Sequence, residues 1–247
     1  MQKDIDTLHF WSLQWQMNFN AKKCHTMCIS RKRVKPLLSY KLGQESLSTV
    51  DSYPYLGVII SSDLHWKLHV NHISNRATRV LNLLRRNIYC CTADTKALAY
   101  TSLVRPHLEF ASAAWDPYTD ADSYQIDKVQ RRAARFVSKD YRRTSSVTQM
   151  MSKLGCESLA DRRQSARLSL LYKGLHGLAS IPVDHLRHPS RSTRHSGTTT
   201  FIPLSSRIDA YKYSFFPRTV VNWNSLPDEI QLKSTHPSFL SSLSSCY

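Results

Sequence analysis

The chain has 247 residues, with 34 Lys and Arg against 18 Asp and Glu, for a formal net charge of +16 at pH 7. At 41% hydrophobic and 10% aromatic it has enough apolar material for a core, which excludes wholesale disorder. No apolar run approaches the roughly 20 residues of a membrane span, nothing reads as a secretory signal, and the six glycines form no Gly-rich phosphate loop.

Residues 3–16 predict a helix, with Ile5, Leu8, Trp11 and Trp15 near helical spacing. Short apolar or alternating runs follow at 25–30, 37–42, 46–50 and 54–60. Gly43-Gln44-Glu45 and Ser52-Tyr53-Pro54 read as turns between them, which predicts a small antiparallel sheet with hairpins. From Asp63 the period becomes helical. Ile73, Ala77, Val80, Leu81 and Leu84 form one stripe, and residues 92–94 cap a helix running to about 104. Pro106 is expected to interrupt that helix, with a second segment continuing to 114. Residues 121–140 predict a strong helix. Ser145 or Ser146 caps a short one that Gly155 stops, and residues 158–176 are apolar nearly all round and so expected buried. Residues 186–199 read as a loop. Beyond them come an aromatic segment (Tyr211, Tyr213, Phe215, Phe216, Trp223) expected to pack the tail down, and a Ser-rich end. The fold class is therefore α+β: a small antiparallel sheet with hairpins, an α-helical bundle and a loop-rich tail. The expected divisions are 1–61, 62–177 and 178–247.

The charge is unevenly placed. Residues 128–175 hold 12 basic and 3 acidic side chains, whereas residues 61–127 hold 7 of each. Lys128, Arg131, Arg135, Lys139 and Arg142 are spaced by 3, 4, 4 and 3 residues, with Arg132 beside them. On a helix they fall within about an 80° arc. Ile126, Val129, Ala133, Phe136 and Val137 lie opposite. Like charges at i,i+4 weaken a helix slightly, and a polyanion would reverse that sign by releasing its counterions. A solvated face, or an acidic protein or membrane surface, is the alternative. Nucleic acid is preferred because local acids are few, and because a membrane helix calls for larger apolar residues opposite its charges.

These residues also carry a resemblance. Trp11, Trp15, Met17, Asn18, Phe19 and Asn20, with Lys23 and Cys24, resemble the segment after the catalytic box in reverse transcriptases of non-LTR, LINE-type, jockey-like retrotransposons. Tyr55-Leu56-Gly57-Val58-Ile59 with Asp63, Leu64, Trp66 and His69 resembles the next block. Leu103-Val104-Arg105-Pro106-His107-Leu108-Glu109-Phe110 with Trp115-Asp116-Pro117-Tyr118 is similar to a further one. So are Val129-Gln130-Arg131-Arg132-Ala133-Ala134-Arg135-Phe136, Phe216-Pro217-Arg218-Thr219 and Trp223-Asn224-Ser225-Leu226-Pro227. The blocks stand in the family's order over about residues 4–230. The resemblance implies the latter part of an RNA-directed DNA polymerase. Residues 1–61 would be the end of a palm, with Tyr55, Leu56, Gly57 and Val58 as a primer-grip-like hairpin. Residues 62–177 would be a helical thumb on an RNA–DNA or DNA duplex backbone, reached through Lys128, Arg131, Arg132, Arg135, Lys139 and Arg142.

The family's nucleotidyl transfer uses two Mg²⁺ ions held by palm carboxylates, partly from an Asp-Asp box. This sequence has no Asp-Asp; its adjacent acids are Asp228 and Glu229. The chain is expected to lack the upstream palm and fingers, to hold no Mg²⁺ or other cofactor of its own, and to be inactive alone. Lys23 matches a position where polymerases can place a general acid, and an exposed turn lysine is the plainer reading. The expected partner is nucleic acid, with no small-molecule substrate and no membrane. A nonenzymatic nucleic-acid-binding protein derived from a retrotransposon, or a nonfunctional relic, is the rival.

Other constellations read as structural. His65, His69 and His72 fall at i, i+4, i+7 but lack metal-site companions. Cys24, His25 and Cys28 read as a strand. The six cysteines, Cys24, Cys28, Cys90, Cys91, Cys156 and Cys246, show no CxxC pair, so reduced thiols and a nuclear or cytoplasmic location are expected. Asp4 with Asp6 and Asp120 with Asp122 sit at helix starts, where acids favour the positive dipole end. Trp11 and Trp15 are expected in the core rather than free to stack on bases.

Overall fold

A computed structural model of the chain describes residues 1–30, 32, 38–190 and 199–244. The expected strand at 37–42 and the loop at 186–199 therefore lie partly outside the described residues, and Cys246 lies wholly outside. The chain divides into two compact units, Met1–His69 and Val70–Tyr247.

In the first unit, helix α1 (Gln2–Gln14) starts at Met1, whose terminal ammonium pairs with Asp4 at 2.8 Å. A 3₁₀ turn (Ala21–Lys23) is capped by Asn20. Three two-stranded ladders follow, a composition compatible with the α+β expectation. β1 (His25–Thr26) pairs with β4 (Ser48–Thr49), β2 (Lys41–Leu42) with β3 (Glu45–Ser46), and β5 (Ser52–Tyr55) with β6 (Val58–Ser61). The three ladders are separate and the β1–β4 pair is parallel, so the single antiparallel sheet expected is not what forms. The expected turn at 52–54 is also corrected. Those residues form β5, and Pro54 is tolerated because the strand has a single partner. The chain reverses instead at Leu56 (φ 48°) and Gly57 (φ 86°). Two consecutive left-handed residues make the two-residue hairpin turn that matches strand twist. Leu56 bears a cost of about 1–2 kcal/mol for that conformation, whereas Gly57 does not.

Trp11 and Trp15 are 44% and 61% exposed, contrary to the core placement expected of them. Helical spacing predicts a face, but a face is buried only where a partner covers it. Among the described residues of this unit, Val58 alone is a buried apolar side chain.

The second unit is helical. The long α2 (Lys67–Asn87) begins at the end of the first unit and buries Ile73, Ala77, Leu81 and Leu84 of the expected stripe, with Val80 half-buried. Thr92 caps α3 (Ala93–Ala99) through its hydroxyl. Pro106 does not break the path. A π-helical turn (Tyr100–Val104) precedes α4 (Arg105–Glu109), and Pro106 falls in the first turn of α4. Widening the turn absorbs the missing N–H and the ring's bulk. The break comes at Ala111, φ 52°, before α5 (Ser112–Trp115).

Thr119 opens α6 (Asp120–Ser138), and Ser146 caps α7 (Val147–Lys153). Gly155, φ 60°, ends α7 as expected, with Cys156 N–H donating to the Met151 carbonyl. Ser158 caps α8 (Leu159–Leu175). The tail carries α9 (Asp209–Lys212), α10 (Phe215–Asn224), α11 (Asp228–Gln231) and α12 (His236–Ser244), more helix than a loop-rich tail implies. α5, α10 and α12 all pack on α8. Leu168, Leu171 and Tyr172 of α8 share one core with Phe201, Val220, Trp223, Leu226, Ile230, Phe239 and Leu243.

Candidate nucleic-acid interface

α6 is fixed at its start by Thr119, whose Oγ1 accepts from Asp122 N–H at 3.3 Å and donates to the Asp122 carboxylate at 2.6 Å. Ile126, Val129, Ala133, Phe136 and Val137 are buried, all at 3% exposure or less. Lys128, Arg131 and Arg132 point outward and are exposed. Among the described residues, no ion pair involves any of these three cations.

The other half of the expected row is different. The helix ends at Ser138, and Lys139 caps it in the left-handed conformation, so the expected row from Lys128 to Arg142 does not lie on one helix. Arg135 is half-buried and donates from Nη1 to the carbonyls of Arg142 at 2.9 Å and Asp140 at 3.5 Å. It clamps the chain leaving the helix. Arg142 lies outside the helix and pairs with Asp140 through Nε at 3.1 Å and Nη2 at 3.0 Å. Hydrogen bonds from Arg142 hold the Asp140 carboxyl well below its usual range. An arginine already paired in this way has less charge to offer a phosphate.

A second basic surface lies on α2, where the balanced charge count of residues 61–127 concealed it. Arg79, Asn82, Leu83, Arg85, Arg86, Tyr89 and Tyr141 line an open groove of about 890 Å³. The Arg85 guanidinium stands 5.5 Å from the Tyr141 ring centre. The signal in the sequence was the arginine repeat along α2 with Tyr89 just beyond its end; Tyr141 is brought there by the fold.

The Tyr55, Leu56, Gly57 and Val58 segment is the tip of the β5–β6 hairpin. Tyr55 and Leu56 are exposed and Val58 is buried. His69 buttresses it: its Nδ1 accepts from Ile59 N–H at 3.2 Å. His69 is buried while His65 and His72 are exposed, so the three do not gather. Lys23 is exposed, and its carbonyl accepts from the Tyr53 hydroxyl at 3.0 Å. Among the described residues, no three His, Cys, Asp or Glu side chains come together to hold a metal ion. No chemical step is assigned to the described side chains.

Two of the blocks that carry the resemblance meet around Asp116. Its buried carboxylate accepts from Arg163 Nε at 2.7 Å and Arg167 Nε at 2.9 Å, and pairs with Arg218 Nη1 at 3.2 Å. Arg167 reaches Asn222 Oδ1 at 3.1 Å, and Arg218 donates to the Asp116 and Pro117 carbonyls. Tyr118 stacks on Tyr213 at 4.5 Å. Burial lowers the Arg167 pKa to about 10, against the pull of Asp116. This charged centre was not legible in the sequence: α8, expected to be apolar nearly all round and buried, buries Arg163 and Arg167 as well.

The chain is 24% identical over 142 residues to an RNA-directed DNA polymerase from the mobile element jockey of Drosophila funebris. The matched stretch is 56% of this chain and 15% of that protein, so the chain covers only a small part of its relative's length. No family model matches, and no solved structure matches. The chain is thus distantly similar to a retrotransposon reverse transcriptase.

Proposed function

We propose that the chain is a nucleic-acid-binding segment of a retrotransposon-type RNA-directed DNA polymerase. In this reading Val70–Tyr247 acts as a thumb that lies against the backbone of a template–primer duplex, and the chain alone does not carry out nucleotidyl transfer. The observation that carries the reading is the trio Lys128, Arg131 and Arg132, exposed on a helix whose other face is buried and joined by no ion pair among the described residues. The distant jockey relative supports it. The absence of any Asp-Asp pair from the sequence supports the lack of catalysis.

A salt titration of binding to an RNA–DNA hybrid tests this. Each phosphate neutralised adds roughly 0.7–0.9 to the log–log slope. Replacing Lys128, Arg131 and Arg132 together by Ala is expected to lower the slope by about 2–3. Arg135→Ala is expected to leave the slope unchanged and to lower the melting temperature, because its guanidinium serves the loop after α6. An unchanged slope in the triple variant would overturn the proposal. Primer extension with Mg²⁺, run on the same preparation, is expected to be blank.

A further inference from the structure

Lys96 of α3 is completely buried, and its ammonium makes no hydrogen bond. It stands over two rings, 5.2 Å from the centre of Phe136 and 5.6 Å from that of Tyr89. A second ammonium, Lys139, stands 5.6 Å from the same Tyr89 ring. Lys139 is brought there by the left-handed turn that ends α6. Burial, and then the adjacent Lys139 charge, push the Lys96 pKa down, against a weaker opposite pull from Cys91 and Cys90. Neither lysine joins an ion pair among the described residues.

Two neighbouring cations with no ion-pair partner among the described residues, one of them buried without an acceptor, are costly unless something supplies negative charge. Cation–π attraction to Tyr89 offsets part of that cost and supplies no acceptor. Of the groups around Lys96, the Tyr89 ring is 57% exposed and Lys139 is exposed, whereas Phe136 is buried. Tyr89 is also a wall of the α2 groove, which continues through Arg86 and Arg85 to Tyr141, itself 49% exposed. Guanidinium groups and two exposed aromatic rings thus line one groove, and the two ammonium groups stand beside one of those rings, Tyr89. Charge tracks a phosphate chain, and aromatic faces accept bases whatever their sequence.

We propose that this groove binds single-stranded nucleic acid, with one phosphodiester on Lys96 and Lys139 and bases stacked on Tyr89 and Tyr141. A phosphate oxygen gives Lys96 the acceptor it lacks and relieves the repulsion between the lysines. The site shares no residue with the α6 trio, so the two can fail separately.

The test is binding of the full chain to a thymidine strand of about 12 nucleotides, within the footprint of one such module. The same strand with abasic sugars and an RNA–DNA hybrid serve as comparisons. Lys96→Met keeps the buried volume without the charge, and Lys139→Asn tolerates the left-handed backbone. Each is expected to weaken the thymidine strand about tenfold and leave the hybrid unaffected, while Tyr89→Ala loses a similar factor. The abasic strand is expected to bind wild type weakly and to be indifferent to Tyr89→Ala. Photocrosslinking of wild-type protein to a 5-iodouridine strand is expected to mark the peptide containing Tyr89, which needs no folded variant. Wild-type affinity for the strand in both lysine variants, or crosslinks confined to other peptides, would overturn the proposal. Competition by inorganic phosphate as effective as that of the strand would mean an anion site without strand recognition, which also overturns it.

Discussion

Asp116 holds the second unit together by neutralising guanidiniums that cannot reach water. Arg163 and Arg167 are 1% and 3% exposed. A buried pair is weak evidence of net stability, because desolvation cancels much of the attraction, but removing one partner strands the others. Asp116→Asn is therefore expected to cost about 3–5 kcal/mol. For a unit of this size that lowers the melting temperature by about 10 °C. Thermal unfolding followed by circular dichroism would measure it, and a loss of only a degree or two would contradict the assigned role. The residue scale is also where sequence reading was least informative. Arg135 and Arg142 belong to the same periodic row as Arg131. Whether a guanidinium faces solvent, a carbonyl or a carboxylate depends on where the chain turns after Ser138.

At the scale of elements, the docking of α12 on α8 carries a proton-linked contact. His236 Nε2 lies 2.7 Å from Ser169 Oγ, and its ring packs 5.9 Å from Tyr172. Burial, and then the Lys173 charge, lower its pKa from the ordinary 6.5. A histidine depressed in the native state binds protons less readily there than when unfolded. Its contribution is present above about 6.5 and is lost as pH falls through the native pKa. His107 has the same sign, through burial and then Arg76. The melting temperature is thus expected to drop below neutral pH, and His236→Gln is expected to reduce that dependence without abolishing it. An identical pH profile in the variant would sink the assignment. Several starts and stops of helices were legible in the sequence. Thr92 and Ser146 cap as expected and Gly155 ends α7, while Thr119 and Ser158 cap as their residue types allow without having been singled out. Pro106 misled because its cost falls only on a helix that keeps the i→i−4 pattern, and here the π turn relaxes it.

Across the whole molecule the two units differ in how much apolar surface they hide. In Met1–His69 the side chains of Leu8, Phe10, Trp11, Leu13, Trp15, Met17 and Phe19 are all exposed. The second unit buries Trp115, Trp223, Phe136 and Phe239 almost completely. Stability follows buried apolar area, so opening of the first unit is expected at lower free energy than opening of the second. Amide hydrogen exchange is expected to show fast exchange in β1–β6 and slow exchange in α6 and α8. Strand amides protected as well as those of α8 would refute this.

By itself the sequence determined the local features: helix periods, caps, the inward face of α6, the aromatic tail, and an excess of cations in one stretch. Each of these depends on residues a few positions apart. Tertiary structure decided which cations are free. Asp116 draws partners from 47 to 102 residues away, Lys96 and Lys139 meet at Tyr89, and Arg85 meets Tyr141 across most of the distance from α2 to α7. Spacing along a helix is set by covalent geometry, whereas the partner of a charge is set by whatever the rest of the chain brings beside it.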